Sequence, residues 1–184
     1  VAPLTLGHWE GRLIYARSVQ LLLLEAAHLV DPSLDVRMGP SLGASQIVEV
    51  RGAGELDQDA LASRLSVQME RLAATGAPIR REHWTVDEAR EHFLSRGWND
   101  AAQLLLASRQ ATVPLVTCGR VYAMSLGPML PDTRELQGFS VKPHEAGLML
   151  ELGARDLRRN APAVGLPPRD SDMQAEHRQW LTAM

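Results

Sequence analysis

Apolar positions along this chain change their spacing several times, and each change predicts an element. Leu13, Leu21, Leu24 and Leu29 mark one side of a helix running to about Val30. The unbroken run Leu21 to Leu24 leaves little room for a wet face, so this helix is expected to be buried nearly all round. Gly7 is placed to cap it, Glu10 sits in its first turn, and Asp31 with Pro32 ends it. A second helix follows Asp57, where Leu61, Leu65, Met69 and Leu72 form a core stripe closed by Gly76. Thr85 and Glu88 form a capping box for a third helix ending near Gly97. Asn99 or Asp100 can cap a short fourth helix through Leu106.

Between the helices the pattern shortens to strand-like runs. Leu34 to Met38 and Gln46 to Arg51 read as a hairpin whose turn spans Gly39, Pro40, Ser41, Leu42 and Gly43. Val113 to Cys118 and Arg120 to Met124 read as a second hairpin about Gly119. Leu4 to Leu6, Ile79 to Trp84, Phe139 to Lys142 and Leu148 to Leu152 supply the remaining strands. Hairpins and helices without strict alternation of strand and helix predict an α+β fold, with helices packed on a largely antiparallel sheet.

The character changes after residue 153. Residues 4–153 form the expected α+β domain, and 154–170, with Arg155, Arg158, Arg159, Pro162, Pro167 and Pro168, read as a linker. Ser171 with Gln174 is a further capping box, so 171–184 reads as a last helix carrying Met173, His177, Trp180 and Leu181. The 184 residues suffice to bury about 70% of the unfolded surface. Hydrophobic residues at 45% and charged residues at 22% are ordinary for a globular chain, which argues against disorder.

A formal net charge of −3 gives no global field to hold a polyanion, which argues against nucleic acid as a partner. The single cysteine, Cys118, has no internal partner and lies in an apolar strand, where an inert core thiol is expected. The run Val19 to Val30 is interrupted by Gln20, Glu25 and His28 and is too short to span a bilayer, so no membrane role and a cytoplasmic location are expected. A first residue Val1 in place of Met points to a piece of something longer.

The segment with most chemical interest is Val121 to Pro131, in which Gly127, Pro128 and Pro131 halt a strand and hold Ser125 and Met129 in a defined loop. This loop resembles the Cys-x-x-x-His loop of the editing domain of threonyl- and alanyl-tRNA synthetases. Gly127, Pro128 and Pro131 match it, while Ser125 stands for the cysteine and Met129 for the histidine. Arg17 and Leu21 likewise fall where that family carries His-x-x-x-His on its first helix, and a lysine of the threonyl enzymes falls at Ala101. A hydrolytic or zinc site needs imidazole, thiolate or carboxylate donors, so these substitutions imply an editing-like domain with no catalytic residues and no metal. Arg17, Leu21, Ser125 and Met129, with Asp132 and Arg134 just beyond, remain as a candidate pocket at the degenerate site.

The order Arg17-Ser18, Ala26-Ala27-His28, Gly127-Pro128-Met129, Pro131 and a helix like His177 to Leu181 resembles bacterial uridine-kinase-like nucleoside kinases, in which such a domain precedes a P-loop kinase domain. The resemblance implies an accessory domain partnered by its own kinase domain, with a small-molecule ligand as a further candidate partner and ATP and magnesium belonging to the kinase domain. No G-x-x-x-x-G-K-[ST] occurs in these 184 residues, so phosphoryl transfer does not reside in them. A freestanding aminoacyl-tRNA deacylase using Ser125 and Asp132, or an RNA-binding module, is the alternative.

Overall fold

The computed structural model describes residue 6 and residues 8–43, 45–52 and 57–152. Gly7, most of the Leu4 to Leu6 strand, the linker 154–170 and the helix 171–184 lie outside the described residues. The elements run α1 (Trp9–Val30), β1 (Asp35–Leu42), β2 (Ser45–Arg51), α2 (Gln58–Thr75), β3 (Ile79–Thr85), α3 (Val86–Ser95), α4 (Asn99–Leu106), β4 (Thr112–Cys118), β5 (Val121–Met124), β6 (Ser140–His144) and β7 (Gly147–Glu151).

The fold is α+β and every strand pairing is antiparallel, but the strands form two sheets where one was expected. One has the order β1-β2-β7-β6 and the other β3-β4-β5. The reason lies in α1, which is packed on both sides. Val19, Leu22, Leu23 and Ala26 join Leu61, Leu65 and Met69 of α2 against Val48, Leu148 and Leu150 of the four-stranded sheet. Leu21 faces the other way, onto Ile79, Val116, Cys118 and Val121 of the three-stranded sheet. Packing on both sides is why its central leucines are contiguous, but the burial expected nearly all round holds only for that central part: Leu29, expected on the buried side, is 45% exposed near the helix end. The helix has 22 residues, and by length and composition it would span a bilayer, contrary to the sequence expectation. Its apolar side chains are instead engaged by the protein core, with Val19, Leu22, Leu23 and Ala26 fully buried.

Strand alternation carries the three-stranded sheet between two layers. Along β4, Val113 and Leu115 point to Phe93, Ala102 and Leu105 of the α3–α4 pair, while Val116 and Cys118 point to α1. The capping box of α3 is present, with Glu88 N donating to Thr85 Oγ1 at 3.2 Å and Thr85 N to Glu88 Oε2 at 3.1 Å. Asp57 caps α2 through the Asp59 amide, and Gly76 closes it in the left-handed region.

Two local expectations differ from the structure. The turn placed at Gly39 to Gly43 is strand for most of its length, because Pro40 sits in a bulge where the register shifts between Met38 and Ser41. Since β1 is an edge strand, its missing amide donor is tolerated there. The residue capping α4 is Trp98, with no side-chain cap, whereas Asn99 and Asp100 lie inside the first turn.

Candidate functional site

The loop after β5 is clamped at both ends and in the middle. Ser125 N donates to Pro114 O at 3.0 Å, and Ile79 N donates to Pro131 O at 2.9 Å. Between them Leu130 N donates to the hydroxyl of Ser18, which itself donates to Ile14 O one turn back along α1. Ser18 is fully buried, so this hydroxyl is the link that seats the loop on the helix.

Seating the loop there brings two of the six sequence-derived residues, Leu21 and Met129, into one cluster and sets a third, Arg17, against the loop backbone. Arg17 lies over Gly127, whose φ of +148° suits glycine; a Cβ on that residue would stand 2.5 Å from Arg17 Nη1. Leu21 and Met129 pack in one apolar cluster with Ile79, Val116, Cys118 and Val121. Ser125 Oγ makes a long contact of 3.4 Å to Gly127 O within its own turn. Asp132 and Arg134 pair with each other, at 2.7 Å between Oδ2 and Nη2, which holds the Asp132 carboxyl below its ordinary range. Their surroundings are the end of α2, where Arg134 packs against Gly76 and Asp132 bridges to Pro78.

This donor set does not fit a metal ion. Leucine and methionine hydrocarbon occupies the place where imidazoles would converge, and a guanidinium beside it repels a cation. Among the described residues no group of three or more His, Cys, Asp or Glu side chains is placed to hold one. Cys118 is fully buried below the same cluster, and burial together with the Glu25 carboxylate pushes its thiol from 9.0 up to about 11. We expect Cys118 to be inert to a disulfide reagent at pH 8 in the folded protein and to react fully in 6 M guanidinium. Rapid labelling of the native state would contradict this burial.

The open space lies beside that cluster. A cavity of about 400 Å³ is bounded by the edge strands of the two sheets, β1 and β5, with Leu24 of α1 below and the α3–α4 pair above. Val36, Met38, Phe93, Trp98, Ala123 and Met124 give it apolar walls. Ala101 lines it too. At its mouth Arg37 is held by Asp35, at 3.0 Å, and reaches across to Asp100 of α4. Leu24, Trp98 and Ala123 belong both to this wall and to the cluster around Leu21 and Met129. None of the six sequence-derived residues lines this cavity, and sequence reading missed Trp98, Arg37 and Asp100, the last two of which meet across 63 positions of chain.

Comparison with known proteins follows this geometry. Over 133 residues, 72% of the chain, it is 26% identical to a threonine-tRNA ligase from Halorhodospira halophila (strain DSM 244 / SL1), covering 21% of that protein. The chain is homologous, at low identity, to threonine-tRNA ligase. A second such ligase, from Phenylobacterium zucineum (strain HLK1), is 29% identical over 117 residues, 63% of the chain and 18% of the ligase. The chain thus spans about a fifth of the length of these curated relatives. No family model matches it. Similarity to threonine-tRNA ligase agrees with the α+β fold of two antiparallel sheets packed against helices, and with an editing-like character for the domain.

Proposed function

We propose that this chain is a non-catalytic editing-like domain that keeps the cleft between β1 and β5 as a binding pocket. The observation that carries the reading is the dry cluster of Leu21 and Met129 at the positions where the resemblance expects two imidazoles. Hydrolysis of an ester needs a base to activate water or a nucleophile. Ser125 has a backbone carbonyl, not a base, as its hydroxyl contact. Asp132, the other member of the deacylase alternative, is engaged by Arg134.

The parent protein we propose is a uridine-kinase-like nucleoside kinase, in which this domain serves the kinase domain as a ligand-binding or docking accessory. The support for that parentage is the order of Arg17-Ser18, Ala26-Ala27-His28, Gly127-Pro128-Met129 and Pro131 along the chain. ATP and magnesium would act only in the kinase domain, on uridine or cytidine, and the location would be cytoplasmic.

The test has two arms. The purified chain, incubated with tRNA carrying a mismatched amino acid, is expected to release it no faster than buffer does, with or without Ser125→Ala. Chain-dependent release abolished by Ser125→Ala would overturn the non-catalytic reading. Sequencing the native reading frame past Met184 is expected to reveal an apolar strand followed by G-x-x-x-x-G-K-[ST]. A frame without that loop would remove the kinase parentage and leave the accessory domain to another protein.

A further inference from the structure

Next to the 400 Å³ cavity lies a second, smaller one of about 60 Å³, and Leu24, Asp35, Val36 and Trp98 line both. The two are compartments of one cleft, which runs along β5 from Val121 and Tyr122 to Ala123 and Met124. Their chemistry differs sharply. The larger is walled almost wholly by hydrocarbon and aromatic rings, with Trp98 stacked on Phe93 at 5.9 Å between centroids. The smaller has Arg96, His28, His92 and Ser33 around a volume that suits a head group and not a ring.

The charges in the smaller compartment are not balanced from within. The wall carboxylate Asp35 is engaged by Arg37, which also takes Asp100. Among the described residues no carboxylate lies within ion-pair distance of Arg96. Its guanidinium contacts His28 Nδ1 at 3.3 Å. His92, beside it, is held below its ordinary pKa by burial and by the Arg96 charge, as expected where positive potential is unneutralised. A planar guanidinium with two imidazoles around a small space matches an oxyanion, which arginine grips in two-point fashion.

We propose that this cleft binds a small amphiphilic oxyanion, with an apolar ring in the larger compartment and a phosphate or carboxylate head against Arg96, His28 and His92. The proposal rests on the reading of the cleft as a binding pocket and names the class of ligand it takes. The larger compartment falls in the range of about 300–1,000 Å³ that small-molecule sites occupy.

The purified 184-residue chain is titrated with phenyl phosphate, phenylacetate, benzyl alcohol, benzylamine and inorganic phosphate. Binding is followed by the NMR signals of the Trp98 indole and the His28 and His92 rings. Phenyl phosphate or phenylacetate is expected to bind at least tenfold more tightly than benzyl alcohol, and the order of those two identifies the head group. Arg96→Ala, at an exposed position, is expected to erase that preference while leaving benzyl alcohol and the melting curve unchanged. Ala101→Leu is expected to weaken every ring-bearing probe. Benzylamine binding best, inorganic phosphate matching phenyl phosphate, or anion affinity unmoved by Arg96→Ala would overturn the ligand class and leave a pocket of other specificity. Failure of all five probes to shift any of these signals at millimolar concentration would overturn both the class and the binding-pocket reading.

Discussion

Glu25→Ala is expected to destabilise the fold by about 3–5 kcal/mol, although the residue lies far from any reactive group. Glu25 is 3% exposed, on the side of α1 that meets the three-stranded sheet. Its Oε2 accepts from Arg120 N at 2.9 Å and Val121 N at 3.0 Å, the two amides that follow the β4–β5 turn. Truncation would leave the buried Val121 amide unpaired and strip the part-buried Arg120 amide of its acceptor, each worth about 1–3 kcal/mol, and relief of the buried charge offsets only part of that. Gly119 completes the arrangement: its φ is +65°, and a Cβ there would stand 2.1 Å from Glu25 Oε1. Gly119→Ala should therefore evict the carboxylate and cost a comparable amount. The two changes combined should cost well below their sum, because both remove one interaction. Urea unfolding of the single and double variants measures this, and strict additivity would show that the carboxylate does not hold the turn.

The same contact shows what the sequence left hidden. Glu25 appears there only as an interruption in an apolar helix, and its partners are 95 and 96 residues away. Local signals were legible: the Thr85–Glu88 capping box, the Asp57 and Gly76 ends of α2, and the two-sided burial of the central leucines of α1. So was the approach of the Ser125 to Pro131 loop to Arg17 and Leu21, because the resemblance ties two distant motifs to one place. The division into two sheets was not legible, since β2 finds β7 across about a hundred residues and no turn chemistry marks that pairing. The cleft was not legible, because its walls come from α1, β1, β5 and the α3–α4 pair, none of which carries a motif for it. Asp132 and Arg134 illustrate the opposite case. Their nearness in sequence is satisfied by pairing with each other, so it places neither against Arg17.

Leu21→His, which returns the imidazole of the editing motif to its helix position, is expected to cost about 3–5 kcal/mol and to gain nothing from zinc. Leu21 is 1% exposed among Ile79, Val116, Cys118 and Val121, so the ring would lose apolar burial and find no partner for its nitrogens. Neighbouring side chains cannot rescue it as metal ligands. Met129 offers a thioether, Arg17 a permanent cation, and Cys118 a single thiol in the apolar cluster, which with one imidazole falls short of the three donors a zinc site needs. Urea unfolding of the variant with and without a hundredfold excess of zinc over any micromolar site separates the cases. A true site would raise stability by about 2.7 kcal/mol at a hundred times its dissociation constant, and such a rise would show that donors still converge at this place. The expected absence of any rise follows from how the cluster is built: the hydrocarbon at Leu21 and Met129 is part of the packing that joins α1 to the three-stranded sheet. That packing leaves open the cleft beside it, between β1 and β5, where the proposed ligand would sit.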